Sequence, residues 1–208
     1  MNVIDKLASS LGRRDDVPNQ ELAKEIADSN NNNSIAQLVE ILKNTKDKKL
    51  QSDCIKTLYE VGYLKPELIS DHYKFFLELL KNKNNRLVWG AMIALNTISK
   101  IKPKEIYENL VEIMDATDKG SVITKDNGIG ILINLSSKAE YSNEAFPLLL
   151  EQLRKCQSKQ LPMYAERTLP IINEKNKKEF IDILIQRFDE LEKESQKKRI
   201  EKVLKKLN

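Results

Sequence analysis

Four columns of residues in the middle of this 208-residue chain recur at a fixed step of 37, with no insertion or deletion. Leu58, Leu95, Leu132 and Leu169 form one column, and Val61, Ile98, Leu135 and Ile172 a second. A third holds small residues: Cys54, Ala91, Gly128 and Ala165. Val39, Phe76, Ile113 and Leu150 keep the same step one stripe earlier. A period of this length defines units that cannot bury a core alone and must stack on their neighbours. That excludes most enzyme folds at the outset and directs attention to surfaces.

Within one period the apolar spacing is helical twice over. Ile35, Leu38, Val39 and Leu42 fall at i, i+3, i+4 and i+7, the stripe of an amphipathic helix. Polar residues 44–48 break it, and a second stripe follows at Leu50, Cys54, Thr57, Leu58 and Val61. Gly62 is then expected as a helix C-cap. The turn between copies recurs as well: Leu64-Lys65-Pro66-Glu67-Leu68-Ile69 matches Ile101-Lys102-Pro103-Lys104-Glu105-Ile106.

The expected copies are 34–69, 70–106, 107–146 and 147–181, preceded by an N-terminal cap and Asn-rich linker over 1–33 and followed by basic capping helices over 182–208. In the N-terminal cap, residues 2–11 and 18–29 read as two short helices, and Ser29–Ser34 as a polar linker. Pro147 is expected to open the first helix of copy four, Pro162 to lie in the first turn of its second helix, and Pro170 to end that helix near Leu169.

The second copy carries a family resemblance. Leu79-Leu80, Ala91 and Ala94-Leu95, in the run from Leu79 to Ile98, resemble a HEAT repeat. Asn82 and Asn84 stand where that family has turn aspartates. Val88 stands where it has arginine, and Gln51, Lys125 and Pro162 occupy that position in the other copies. The resemblance covers roughly residues 34–181 of a divergent member. It implies an all-α, right-handed α-solenoid of antiparallel helix pairs with 37-residue repeats, first helices convex and second helices concave. It also implies a scaffold or adaptor role. A minority of the family, the alkylpurine DNA glycosylases, cradle DNA in a basic, tryptophan-lined concavity.

Composition narrows the chemistry further. Charged residues make up 32% of the chain and aromatics 6%, as suits a thin two-layer stack with much surface. There is no apolar run of membrane-spanning length, and Asp5 follows closely on the first residue with no signal-like apolar segment. Cys54 and Cys156 offer neither a disulfide framework nor metal spacing, so a reducing, cytoplasmic location is expected. His72 has no cysteine or carboxylate partner in any catalytic pattern, and Asn127-Gly128-Ile129-Gly130 lies inside a helical stripe instead of after a strand. No enzymatic activity, cofactor or metal is expected.

Binding is better supported. Two residues before and two after the small column point away from the inward stripe, giving the ladders Ser52, Trp89, Asp126, Met163 and Lys56, Ile93, Gly130, Arg167. Trp89, Ile93, Met163 and Arg167 are the expected anchors of a protein partner, with Tyr59, Tyr63, Lys56 and Asp126 around them. The net charge of +4 resides in the last 17 residues, which hold seven bases against three acids. Lys197, Lys198, Arg199, Lys202, Lys205 and Lys206 are therefore the alternative, a nucleic-acid contact.

Overall fold

The 37-residue step reappears as the spacing of helices. In the computed structural model, which describes residues 2–207, α3 (Lys48–Leu64), α6 (Asn85–Ile98) and α9 (Val122–Ser136) begin one period apart. The same holds for α5 (Tyr73–Leu79) and α8 (Leu110–Lys119). Every regular element among the described residues is an α- or 3-10 helix. They divide into two compact units, Met1–Gly128 and Ile129–Asn208.

In the first unit, α3 packs against α1 (Val17–Ser29), α2 (Asn32–Asn44) and α6, and α5 packs against α6. The columns found in the sequence are its core: Cys54, Leu58, Val61, Phe76, Ala91, Leu95, Ile98 and Ile113 are all fully buried. Asp47 and Asn84 cap α3 and α6, each accepting a backbone N–H two residues on. The Lys65-Pro66 and Lys102-Pro103 segments are more than turns. Each opens a short helix, α4 (Glu67–Ser70) and α7 (Pro103–Glu108), so the joins between copies one and two and between copies two and three each hold a short additional helix where a turn was expected. Proline presets φ for a helical first turn, and the short helices end at Asp71 and Asn109, where the chain redirects.

Three local expectations give way to the structure. Residues 2–11 form only a 3-10 turn at Ile4–Lys6 and irregular turns, anchored by buried Val3, Leu7 and Ala8. The asparagine run is not a linker: Asn30 takes the left-handed conformation (φ 52°) that ends α1, and the Asn31 side chain caps α2. Asparagine tolerates that conformation and is a strong N-cap, so polar residues here make a tight corner. Gly62 lies inside α3, and a methyl there would meet Thr97 Oγ1 at 2.6 Å and Ile69 Cδ1 at 2.7 Å; its role is close packing.

In the second unit, α10 (Ala139–Lys155) packs on α11 (Leu161–Thr168) and α12 (Lys177–Gln186), and α11 packs on α13 (Glu194–Lys205). Pro147 falls inside α10 instead of opening a helix. It occupies the column of Tyr73 and Leu110, the first residues of α5 and α8, where a helix can most easily spare an N–H. Pro162 lies in the first turn of α11, and Pro170 converts its end to a 3-10 turn over Leu169–Ile171. Leu169 and Ile172 are accordingly only half-buried.

Candidate functional site

The first unit places three aromatic side chains in a row. Gly90 sets the geometry: a methyl there would stand 2.5 Å from Ile55 Cγ1, so its absence lets α6 lie close on α3. That approach brings half-buried Trp89 to 5.8 Å from the Tyr59 ring, which in turn meets Tyr63 edge-on at 6.0 Å. Tyr59 is 5% exposed and Tyr63 57%, so the row is covered at its middle and opens to solvent at the Tyr63 end.

Cations flank this row. The Arg86 guanidinium lies 5.3 Å from the Trp89 ring centroid, and the Lys56 ammonium 5.0 Å from that of Tyr59. Lys56 also bonds Glu60 at 2.6 Å. Burial alone would depress the Lys56 ammonium, but Glu60 and Tyr59 outweigh it and hold it above its ordinary range. Burial pushes the Tyr59 hydroxyl up despite the neighbouring ammonium. Both groups keep their ordinary protonation at neutral pH.

Asp16 joins the cations from outside α3 and α6. One carboxylate oxygen stands 3.6 Å from Lys56 Nζ and the other 3.6 Å from Arg86 Nη2. Asp16 is the N-cap residue of α1, yet its side chain does not cap; Asp15 accepts the Val17 N–H instead. The segment that carries Asp16 is tied down by a buried polar cluster. Asn19, fully buried, accepts the Ala8 N–H at 3.0 Å and donates to Asp53 Oδ1 at 2.9 Å, while Asp53 Oδ2 accepts the Ser9 N–H at 2.8 Å. Between this segment and the N-terminal ends of α3 and α6 runs an open groove of about 810 Å³, lined by Arg13, Arg14, Lys48, Lys49 and Arg86 among others.

Of the residues expected at a protein contact, Tyr59, Tyr63, Trp89 and Lys56 are brought together. Ile93 on the Trp89 helix is only 6% exposed, and Tyr59 and Lys56 are similarly covered at 5% and 7%, so Trp89 and Tyr63 supply the accessible surface of this group. Asp126 is half-buried on α9. Met163 and Arg167 lie on α11 of the second unit, both half-buried. Among the terminal bases, Arg199 forms a two-bond pair with Glu166 at 2.8 and 2.6 Å, and Lys197 stands over the Phe188 ring at 5.7 Å. Lys198, Lys202, Lys205 and Lys206 are exposed. His72 precedes α5, with burial lowering its pKa. No group of His, Cys, Asp and Glu among the described residues could hold a metal ion, and no helix among them is long and apolar enough to cross a membrane. Arg86, Asp16, Asn19 and Asp53 were not singled out by the sequence. Asn19 does leave a trace, since it stands at i with Leu22, Ala23 and Ile26 at i+3, i+4 and i+7, a polar residue on an inward stripe.

No protein-family model and no curated protein sequence matches the chain. Solved structures do. A computationally designed armadillo repeat protein for modular peptide recognition superposes with a TM-score of 0.61 at 16% identity, covering 92% of each chain. A second designed armadillo repeat protein gives the same TM-score and identity over 99% of this chain and 100% of its own. The fold is therefore an all-α helical-repeat solenoid.

Proposed function

We propose that the protein is a non-enzymatic scaffold that binds a peptide or extended protein segment on the second-helix face of its first unit. The observation that carries this reading is the row Tyr63–Tyr59–Trp89 with Arg86 and Lys56 beside it. Aromatic and arginine side chains dominate the energetic centres of protein interfaces, because they bury much area with few rotors to freeze. The face is built on packed helices, so its side chains are ordered before a partner arrives. The peptide recognition named for the designed neighbour supports the same use of this fold.

Selection of a random-peptide phage library against the purified protein tests the proposal. Trp89 is the one tryptophan in the chain, so its emission reports on the face directly. Selected peptides are expected to shift that emission and to lose about tenfold in affinity, or about 1.4 kcal/mol, with either Trp89→Ala or Tyr63→Ala. Peptides whose binding ignores both substitutions, in variants with unchanged circular dichroism, would refute the assignment.

A further inference from the structure

Three arginines of this protein meet a carboxylate with the same edge. Arg13 with Asp15 and Arg199 with Glu166 present Nε and Nη2 side by side, one to each carboxylate oxygen, and Arg187 turns the same edge on a single oxygen of Glu190, at 2.5–3.0 Å. That side-on fork is the strong geometry for guanidinium and carboxylate. At Arg86 the same edge is half-filled. Its Nη2 lies 3.6 Å from Asp16, beyond hydrogen-bond distance, and its Nε is buried with no hydrogen-bond partner.

Around this edge the groove carries an excess of positive charge. Arg14, Lys48 and Lys49 make no ion pair among the described residues, whereas Asp15 is held by Arg13 and Asp53 by Ser9 and Asn19. The positive ends of the α3 and α6 dipoles open into the same space, since Lys48, Lys49 and Arg86 lie in their first turns. Asp16 spans Lys56 and Arg86 without a hydrogen bond to either.

We infer that the Arg86–Lys56 cradle is a receptor for an acidic side chain of the bound peptide, and that Asp16 is its internal stand-in. A partner glutamate or aspartate displaces Asp16, completes the fork on Arg86 Nε and Nη2, and sets its stem against Trp89. Flanking acidic residues of the same peptide then face Arg14, Lys48 and Lys49. This rests on the reading of the first unit as a peptide scaffold and adds the chemistry of its ligand. The three carboxylates that line the groove (Asp15, Asp16, Asp53) favour discrete acidic side chains over a continuous phosphate chain, which has to run past all of them.

The test uses N-acetylated hexaglutamate, hexalysine and hexathymidylate as probes, titrated at low salt while Trp89 emission is followed. Hexaglutamate is expected to bind at least tenfold tighter than either of the others. Arg86→Gln and Lys49→Glu should each weaken it about tenfold; Lys49 is exposed, so the second variant keeps the fold intact. Asp16→Asn should tighten it about threefold by removing the internal competitor. Glu21→Gln, an equal change in net charge on the exposed side of α1, should leave it unchanged. Equal effects of Asp16→Asn and Glu21→Gln would reduce the result to net charge and overturn the cradle. Tighter binding of hexathymidylate overturns the acidic-peptide assignment in favour of phosphate. If phage-selected peptides engage Trp89 but hexaglutamate binds no better than hexalysine, the scaffold stands and the carboxylate receptor falls.

Discussion

Replacing Asp53 by asparagine, a change of one atom, should cost nearly as much stability as replacing it by alanine. Asp53 is 8% exposed and uses its two oxygens on different partners, the Ser9 N–H and the Asn19 amide nitrogen, at 2.8 and 2.9 Å. Both partners are donors, so a carboxylate satisfies both and an amide satisfies one. Asparagine at 53 must aim its own NH₂ either at the Ser9 N–H or at the Asn19 NH₂. Asn19 cannot escape by flipping, because its oxygen already accepts the Ala8 N–H at 3.0 Å. Each charge-assisted bond contributes about 1.5–3 kcal/mol, and an orphaned buried donor costs about 1–3 kcal/mol. Asp53→Asn should therefore lose about 2–4 kcal/mol and Asp53→Ala about 3–5 kcal/mol. For a chain of this size that corresponds to a fall in Tm of roughly 5–15 °C. Urea unfolding followed by circular dichroism measures the loss, and amide exchange at Ala8 and Ser9 locates it. A double-mutant cycle with Asn19→Ala should be strongly non-additive, since each single change already breaks the shared bond. Asp53→Asn within 1 kcal/mol of the parent would refute the donor–donor reasoning.

Gly62→Ala gains about 1 kcal/mol of helix propensity but places a methyl against Thr97 and Ile69, so urea unfolding should show a net loss of about 1–2 kcal/mol. In the second unit Arg187, 9% exposed, donates to the carbonyls of Leu153 and Cys156 that end α10 and pairs with Glu190. Arg187→Ala should destabilise that unit by about 2–4 kcal/mol, read as a lowered urea midpoint, with Arg187→Lys recovering less than half because it lacks the fork. Burial and the Asp53 carboxylate push the Cys54 thiol up to about 12, so a disulfide reagent at pH 8 should leave Cys54 unlabelled until the protein unfolds, as mass spectrometry of the labelled peptides would show. Arg199 bonds Glu166 and holds its carboxyl below the ordinary glutamate range. Its contribution is present above the unfolded value and is lost as pH falls through the lower folded one. Glu166→Gln should therefore cost about 0.5–1 kcal/mol at neutral pH and nothing at the acid end, measured as the pH dependence of urea stability.

How much of this was legible depended on whether a residue acted through its period or through a partner distant in sequence. The columns through Leu58, Val61 and Cys54 recur because each copy meets the next in the same way, and all are buried in the first unit. Pro162 and Pro170 act locally, through a fixed φ and a missing N–H, and fell where expected. A C-cap glycine and a close-packing glycine look alike in sequence; at Gly62 the contacts with Ile69 and with Thr97, 35 residues away, distinguish them. The asparagine run conceals its structure for a related reason. Residues 29–34 have a linker's composition, but single asparagines at a left-handed corner and an N-cap make a rigid turn.

The site divides along the same line. Helical geometry placed Trp89 outward, and the i, i+4 spacing put Tyr59 and Tyr63 on one side of α3, with only Tyr63 open to solvent. What the ladders could not give was the third dimension between α3 and α6. Ile93 and Lys56, drawn from the same ladder logic as Trp89, are covered, while Arg86, one turn before Trp89, stacks on its ring. Asp16 was least legible, since it breaks the local rule that an aspartate before a helix caps it. That exception carries information. An N-cap side chain forgoes a bond worth about 1 kcal/mol only where something else holds it, and here the holders are Lys56 and Arg86. Neither reaches hydrogen-bond distance, so Asp16 is diverted without being fully satisfied. A carboxylate in that state stabilises the free protein modestly and yields readily to one of better geometry. Binding at the Arg86 edge should therefore be coupled to the N-terminal segment, and the Asn19–Asp53 cluster that holds the segment should set how easily Asp16 gives way.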